Sequence, residues 1–69
     1  MKQAEFTPTE LKIVKMICRQ KNSGEIADDL GLSKRTVEGY RENILRKTGS
    51  KTLVGIVLYA VKHGLHKIR

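Results

Sequence analysis

A chain of 69 residues supports one small domain, and its single cysteine excludes an internal disulfide. One cysteine and two histidines also make a poor zinc set, so neither a metal nor any other cofactor is expected. The net charge of +7 lies wholly in the second half, where residues 33–69 carry nine basic and two acidic side chains against five and five in residues 1–32. That asymmetry favours a polyanionic partner on one face, the plainer reading being a solvated basic surface. The cysteine usage is compatible with a reducing cytoplasm. The apolar run at 53–61 is far short of the ~18 residues of a membrane span. The opening "MKQAEF" lacks an apolar stretch, so no secretory signal is expected either.

No segment alternates polar and apolar residues for long, so an all-α chain is expected. Thr7-Pro8-Thr9-Glu10 places Thr7 as an N-cap, Pro8 at the first helical position and Glu10 where a capping box needs it. Phe6 and Leu11 match a hydrophobic staple across that start. Leu11, Val14, Ile17 and Cys18 then carry a first helix to about Gln20, with Cys18 read as a small buried hydrophobe. Asn22-Ser23-Gly24-Glu25 repeats the punctuation and opens a short second helix, about 23–30, with Ile26, Ala27 and Leu30 on its apolar face. Gly31 suits the left-handed stop. Ser33 caps a third helix whose inward stripe is Val37, Tyr40 and Ile44, and Gly49 closes it. Ser50 is expected to cap a fourth helix that runs to about His63 and stops at Gly64.

Two helices joined by "GLS" describe a helix-turn-helix at about 23–47 within a compact four-helix domain. Ala27 leaves room where the two helices cross, and Val37 and Tyr40 are spaced to pack the third helix on Ile26 and Leu30. On the third helix, Arg35, Gly39, Glu42, Asn43 and Arg46 lie opposite the inward stripe, with Glu38 at the flank, given ~100° per residue. Lys34, Arg35 and Thr36 stand near the helix start, where phosphate contacts are common. The two acids have a simple electrostatic reading, Glu38 pairing with Arg41 and Glu42 with Arg46. They also have two functional ones: accepting from cytosine N4, or weakening non-specific affinity in an anionic groove. Gly39 is either tolerated drift or a device for close approach to bases, at a cost of roughly 1 kcal/mol against alanine.

The chain resembles the LuxR/FixJ-type (GerE-type) helix-turn-helix domain that ends many bacterial response regulators and quorum-sensing regulators. The matching stretches are "FTPTE" at 6–10, "EIADDLGLSKRTVEGY" at 25–40, "ENILRKTG" at 42–49 and "AVKHGL" at 60–65. It departs from the usual pattern at Thr9, Gln20, Tyr40 and Leu53, where arginine, glycine, histidine and arginine respectively are common. The resemblance implies sequence-specific binding of double-stranded DNA by a transcription regulator, with the third helix in the major groove. Positions 38, 39 and 42 become the usual base-facing ones, and the DNA-contacting set is expected to be Lys34, Arg35, Thr36, Glu38, Gly39, Glu42, Asn43, Arg46 and Lys47. It further implies a homodimer on a two-half-site operator, with RNA polymerase as a further partner.

Domain boundaries follow as 6–65, with 1–5 and 66–69 as tails. A receiver or ligand-binding domain does not fit in a chain this short. That points to a domain cut from a longer response regulator of a two-component system, a free-standing regulator being the alternative. On the fourth helix, Leu53, Ile56, Val57 and Ala60 are expected to face the core. Val54, Leu58 and Val61 fall on an adjoining arc and are the expected dimerisation residues. The alternatives are a protein-interaction module working through the fourth helix and a domain like region four of a sigma factor. No nucleophile–base pair, paired carboxylates or phosphate-cradling glycine loop points to an enzyme. RNA binding would need an exposed aromatic platform, and none is evident.

Overall fold

The computed structural model describes residues 5–66, and among them the chain forms four helices and no strand. They are α1 (Pro8–Cys18), α2 (Ser23–Leu30), α3 (Lys34–Thr48) and α4 (Leu53–Lys62). Each start is fixed by its own cap. Thr7 and Asn22 form complete capping boxes with Glu10 and Glu25, and Ser33 accepts from the Thr36 N–H. The fourth cap corrects the expectation: Thr52, not Ser50, accepts from the Gly55 N–H. Ser50 is committed elsewhere, its own N–H closing the end of α3 on the Leu45 carbonyl at 2.9 Å.

All four helices stop by the same device, a residue beyond the last turn whose N–H reaches five residues back. The bonds are Lys21 to Met16, Leu32 to Ala27, Ser50 to Leu45 and Leu65 to Ala60. The residue just before each is left-handed: Gly31 (φ 68°), Gly49 (φ 66°), Gly64 (φ 74°) and Gln20 (φ 66°). Gln20 therefore lies outside α1, which ends two residues earlier than the apolar spacing implied. A left-handed residue cannot continue a right-handed helix, and a side chain there is strained.

The core takes one wholly buried isoleucine from every helix: Ile13, Ile26, Ile44 and Ile56. Val14, Ile17, Cys18, Ala27, Val37 and Ala60 complete it. α1 packs on α3 and α4, α4 also packs on α3, and α2 rests chiefly on α3. Phe6, ahead of α1, meets Tyr59 of α4 edge to face at 6.0 Å, so the segment leading into α1 is tied to the fourth helix. Burial leaves the Cys18 thiol pushed up from its ordinary pKa, so it is a poor nucleophile and a packing residue.

The helix α4 corrects a second expectation. Ile56 and Ala60 are fully buried and Val57 half-buried, but Leu53 is 38% exposed and belongs with the outer arc. Val54 (66%), Leu58 (63%) and Val61 (37%) complete that arc. No helix among the described residues is long and apolar enough to cross a membrane.

Candidate nucleic-acid interface

The second and third helices meet through a three-residue turn, Gly31 to Ser33, whose left-handed glycine reverses the chain in minimal length. Val37 and Ile44 anchor α3 in the core with Tyr40 half-buried between them. The opposite side of α3 is therefore presented outward. Lys34, Arg35, Thr36, Glu38, Gly39, Glu42 and Arg46 are all exposed on it. At its start the Ser33 hydroxyl both caps the helix and donates to Thr36 Oγ1 at 2.8 Å, fixing the Thr36 side chain beside the first turn.

Two expected groove residues are engaged elsewhere. Asn43 donates from Nδ2 to Glu10 Oε2 at 2.7 Å, and Lys47 donates from Nζ to Glu10 Oε1 at 2.6 Å. Lys47 also reaches the Glu5 carbonyl at 3.0 Å and lies 6.0 Å from the Phe6 ring centroid. Their side chains thus bind the start of α1 instead of standing free for a ligand. Spacing alone put Asn43 on the outer face; packing of α1 on α3 brings a carboxylate within its reach.

That carboxylate is the functional group sequence reasoning undervalued. Glu10 is 2% exposed and closes its own capping box, Oε1 accepting from the Thr7 N–H at 3.0 Å. Burial alone would raise its pKa, but the bonds from Lys47, the Thr7 N–H and Asn43, with the Lys47 charge, outweigh this and hold it below the usual carboxylate value. The sequence carried one hint: Asn43 and Lys47, four apart, share a helix face with each other.

The simple electrostatic account of the acids also fails. Among the described residues the ion pairs are Lys21–Asp29 and Lys47–Glu10, and neither Glu38 nor Glu42 belongs to one. Arg41, the expected partner of Glu38, donates instead from Nη1 to the buried Ser23 hydroxyl at the start of α2. This bond locks the two helices of the motif together and leaves Glu38 and Glu42 as unpaired acids among exposed cations. The outer face also holds an open cleft of about 360 Å³ lined by Thr36, Gly39, Tyr40, Asn43 and Arg46. Among the described residues no group of His, Cys, Asp and Glu is placed to hold a metal ion.

An outward helix bearing cations, held by a short turn against a supporting helix, is the geometry of a groove-reading element. Comparison with known proteins finds transcription regulators. The chain is 37% identical over 60 residues to the transcriptional regulatory protein MctR of Rhizobium johnstonii, covering 87% of this chain and 28% of that protein. It is 34% identical over 61 residues to response regulator Rre1 of Synechocystis sp., covering 88% of this chain and 26% of that protein. The chain thus spans little more than a quarter of the length of these relatives. The profile of bacterial regulatory proteins of the luxR family matches residues 4–60, and the chain belongs to that family.

Proposed function

We propose that residues 6–65 are the DNA-binding output domain of a bacterial transcription regulator, a two-component response regulator acting in the cytoplasm. The observation that carries this reading is the outward face of α3, where exposed Lys34, Arg35 and Arg46 surround two unpaired acids and a glycine. In this reading α3 enters the major groove of double-stranded DNA. Lys34, Arg35, Thr36 and Arg46 contact phosphates, while Glu38, Gly39 and Glu42 set base preference. Asn43 and Lys47 act one step back, holding α1 to the recognition helix through Glu10. The domain does its work by binding, not by catalysis.

The outer arc of α4 supports self-association on DNA. Leu53, Val54, Leu58 and Val61 fall within about 140° of helix surface, given ~100° per residue, and all four are exposed. A second copy related by a two-fold axis would cover this strip and match an operator of two half-sites. RNA polymerase is the further partner such a regulator would meet. In the competing interaction-module reading, α4 is the sole working surface and DNA is incidental.

Selection of duplexes from a random pool separates the two. Enrichment of an inverted repeat, with binding that falls steeply as salt rises, is the expected result. Replacing Lys34, Arg35 or Arg46 by alanine should each lower the salt slope by about one per protomer. Absence of any enriched duplex at low salt would refute the DNA reading.

A further inference from the structure

We propose that Gly39 forms a notch in the recognition helix that seats the C5-methyl group of a thymine in the major groove. The inference rests on the DNA reading above and gives it a chemical content. Glycine is a poor helix former, so its presence in the middle of α3 asks for a reason.

The fold supplies none. A Cβ built on Gly39 meets no atom within 4 Å, and its φ is not in the left-handed region. Every other glycine among the described residues answers to a local demand. Gly31, Gly49 and Gly64 hold positive φ. A Cβ on Gly55 would fall 2.7 Å from the Ser50 Cβ, and one on Gly24 would lie 3.3 Å from Asn22 Oδ1. Gly39 alone is free of such a demand, and it opens outward into the cleft walled by Thr36, Tyr40, Asn43 and Arg46.

The chemistry of that cleft selects its occupant. The Gly39 N–H and C=O lie in the helix interior, where the hydrogen-bond ladder uses them. Beside it, Thr36 Oγ1 already accepts from Ser33, and Asn43 Nδ2 already donates to Glu10. A bare stretch of helix backbone thus offers room and C–H contact rather than hydrogen bonds. The major-groove edges present donors, acceptors and one apolar projection, the thymine methyl. The remaining polar groups of the cleft, the Thr36 hydroxyl proton, Asn43 Oδ1 and Arg46, stand on its walls, so an amino group or carbonyl oxygen set directly on the Gly39 backbone would give up water without gaining a partner there. The methyl gives up nothing and gains contact. Glu42, exposed beside the notch, remains available for the polar edge of a flanking base.

The test uses duplexes enriched from a random pool, resynthesised with uracil replacing each thymine in turn. The expected result is a thymine in each half-site where uracil weakens binding roughly three- to fourfold, about the worth of one buried methyl group. G39A, whose own methyl fills the notch, should lose that preference and bind the thymine and uracil duplexes alike. Because the added Cβ touches nothing, G39A should fold at least as stably as the parent, which thermal unfolding checks independently. Tolerance of uracil at every position, or an undiminished thymine preference in G39A, would overturn the proposal while leaving DNA binding intact. A pool that yields no enriched duplex overturns the DNA reading and the notch with it.

Discussion

Replacing Glu10 by glutamine tests whether one buried carboxylate ties α1 to α3. Glu10 is 2% exposed and accepts from Thr7 at 3.0 Å, Lys47 at 2.6 Å and Asn43 at 2.7 Å. An amide of the same shape can keep its oxygen toward Thr7 and Lys47, and Asn43 can turn its own amide to accept. What it cannot keep is the charge in the Lys47 bond. That side chain is 31% exposed, so solvent screens the pair and the loss is about 1–2 kcal/mol. In a domain of this size the thermal midpoint should fall by about 5–15 °C, followed by far-UV circular dichroism. The sign of the pH dependence is fixed by the depressed folded pKa of Glu10. Its contribution is complete above the ordinary carboxylate value of 4.5 and is lost as pH falls through the folded value. The gap between parent and Glu10→Gln should therefore be constant from neutral pH down to about pH 5 and close below it. A gap that persists unchanged at acid pH would show that the charge is not what glutamine removes.

Gln20→Gly relieves a left-handed side chain, and the three other helix stops show the residue the position favours. The left-handed penalty less the greater unfolded freedom of glycine leaves a gain of about 0.5–1 kcal/mol; Gln20→Ala, equally strained, should show none in urea titrations. Gly55→Ala should cost about 1–3 kcal/mol, because its Cβ would fall 2.7 Å from the Ser50 Cβ, and an unchanged midpoint would contradict that packing. Leu58→Asp places a charge in the exposed arc of α4; it should leave the fold intact, reduce sedimentation as a dimer and weaken operator binding. Glu42→Gln should raise affinity for random duplex and narrow its margin over the selected site, and equal affinities for both duplexes in both proteins would refute a role for the acid.

Much of this fold was legible because its signals are local. Each of α1, α2 and α3 begins where a side-chain cap stands within three residues of its target, and three of the four stops fall on glycine. The errors arise where a long-range contact overrides local spacing. Ser50 looked like a cap by type, yet its position against Gly55 assigns it to packing, and Thr52 caps instead. Helical angles put Leu53 inward, but neighbouring helices cover only the Ile56–Ala60 side. Gln20 shows the opposite limit. Its backbone conformation is the one glycine favours, and residue type alone hid it. The bonds of Asn43 and Lys47 were hidden for the same reason as that of Ser50, since their partner Glu10 lies more than thirty residues earlier in the chain.

The corrections sharpen the acids on α3 rather than dissolving them. Had Glu38 paired with Arg41 and Glu42 with Arg46, the helix would carry two neutral pairs and no net statement about a ligand. Arg41 instead serves the α2–α3 junction through Ser23, and Lys47 serves Glu10, so two cations of α3 are withdrawn from the outer face. What remains there is Lys34, Arg35 and Arg46 against Glu38 and Glu42, a face far less positive than the helix composition implies. Like charges four residues apart slightly destabilise a helix, and no ion pair compensates them here. A face that only had to grip phosphates would gain from losing both acids. Their retention at the centre of the helix, on either side of a glycine the fold does not require, fits a surface whose attraction to DNA is held in check until the right base edges are presented.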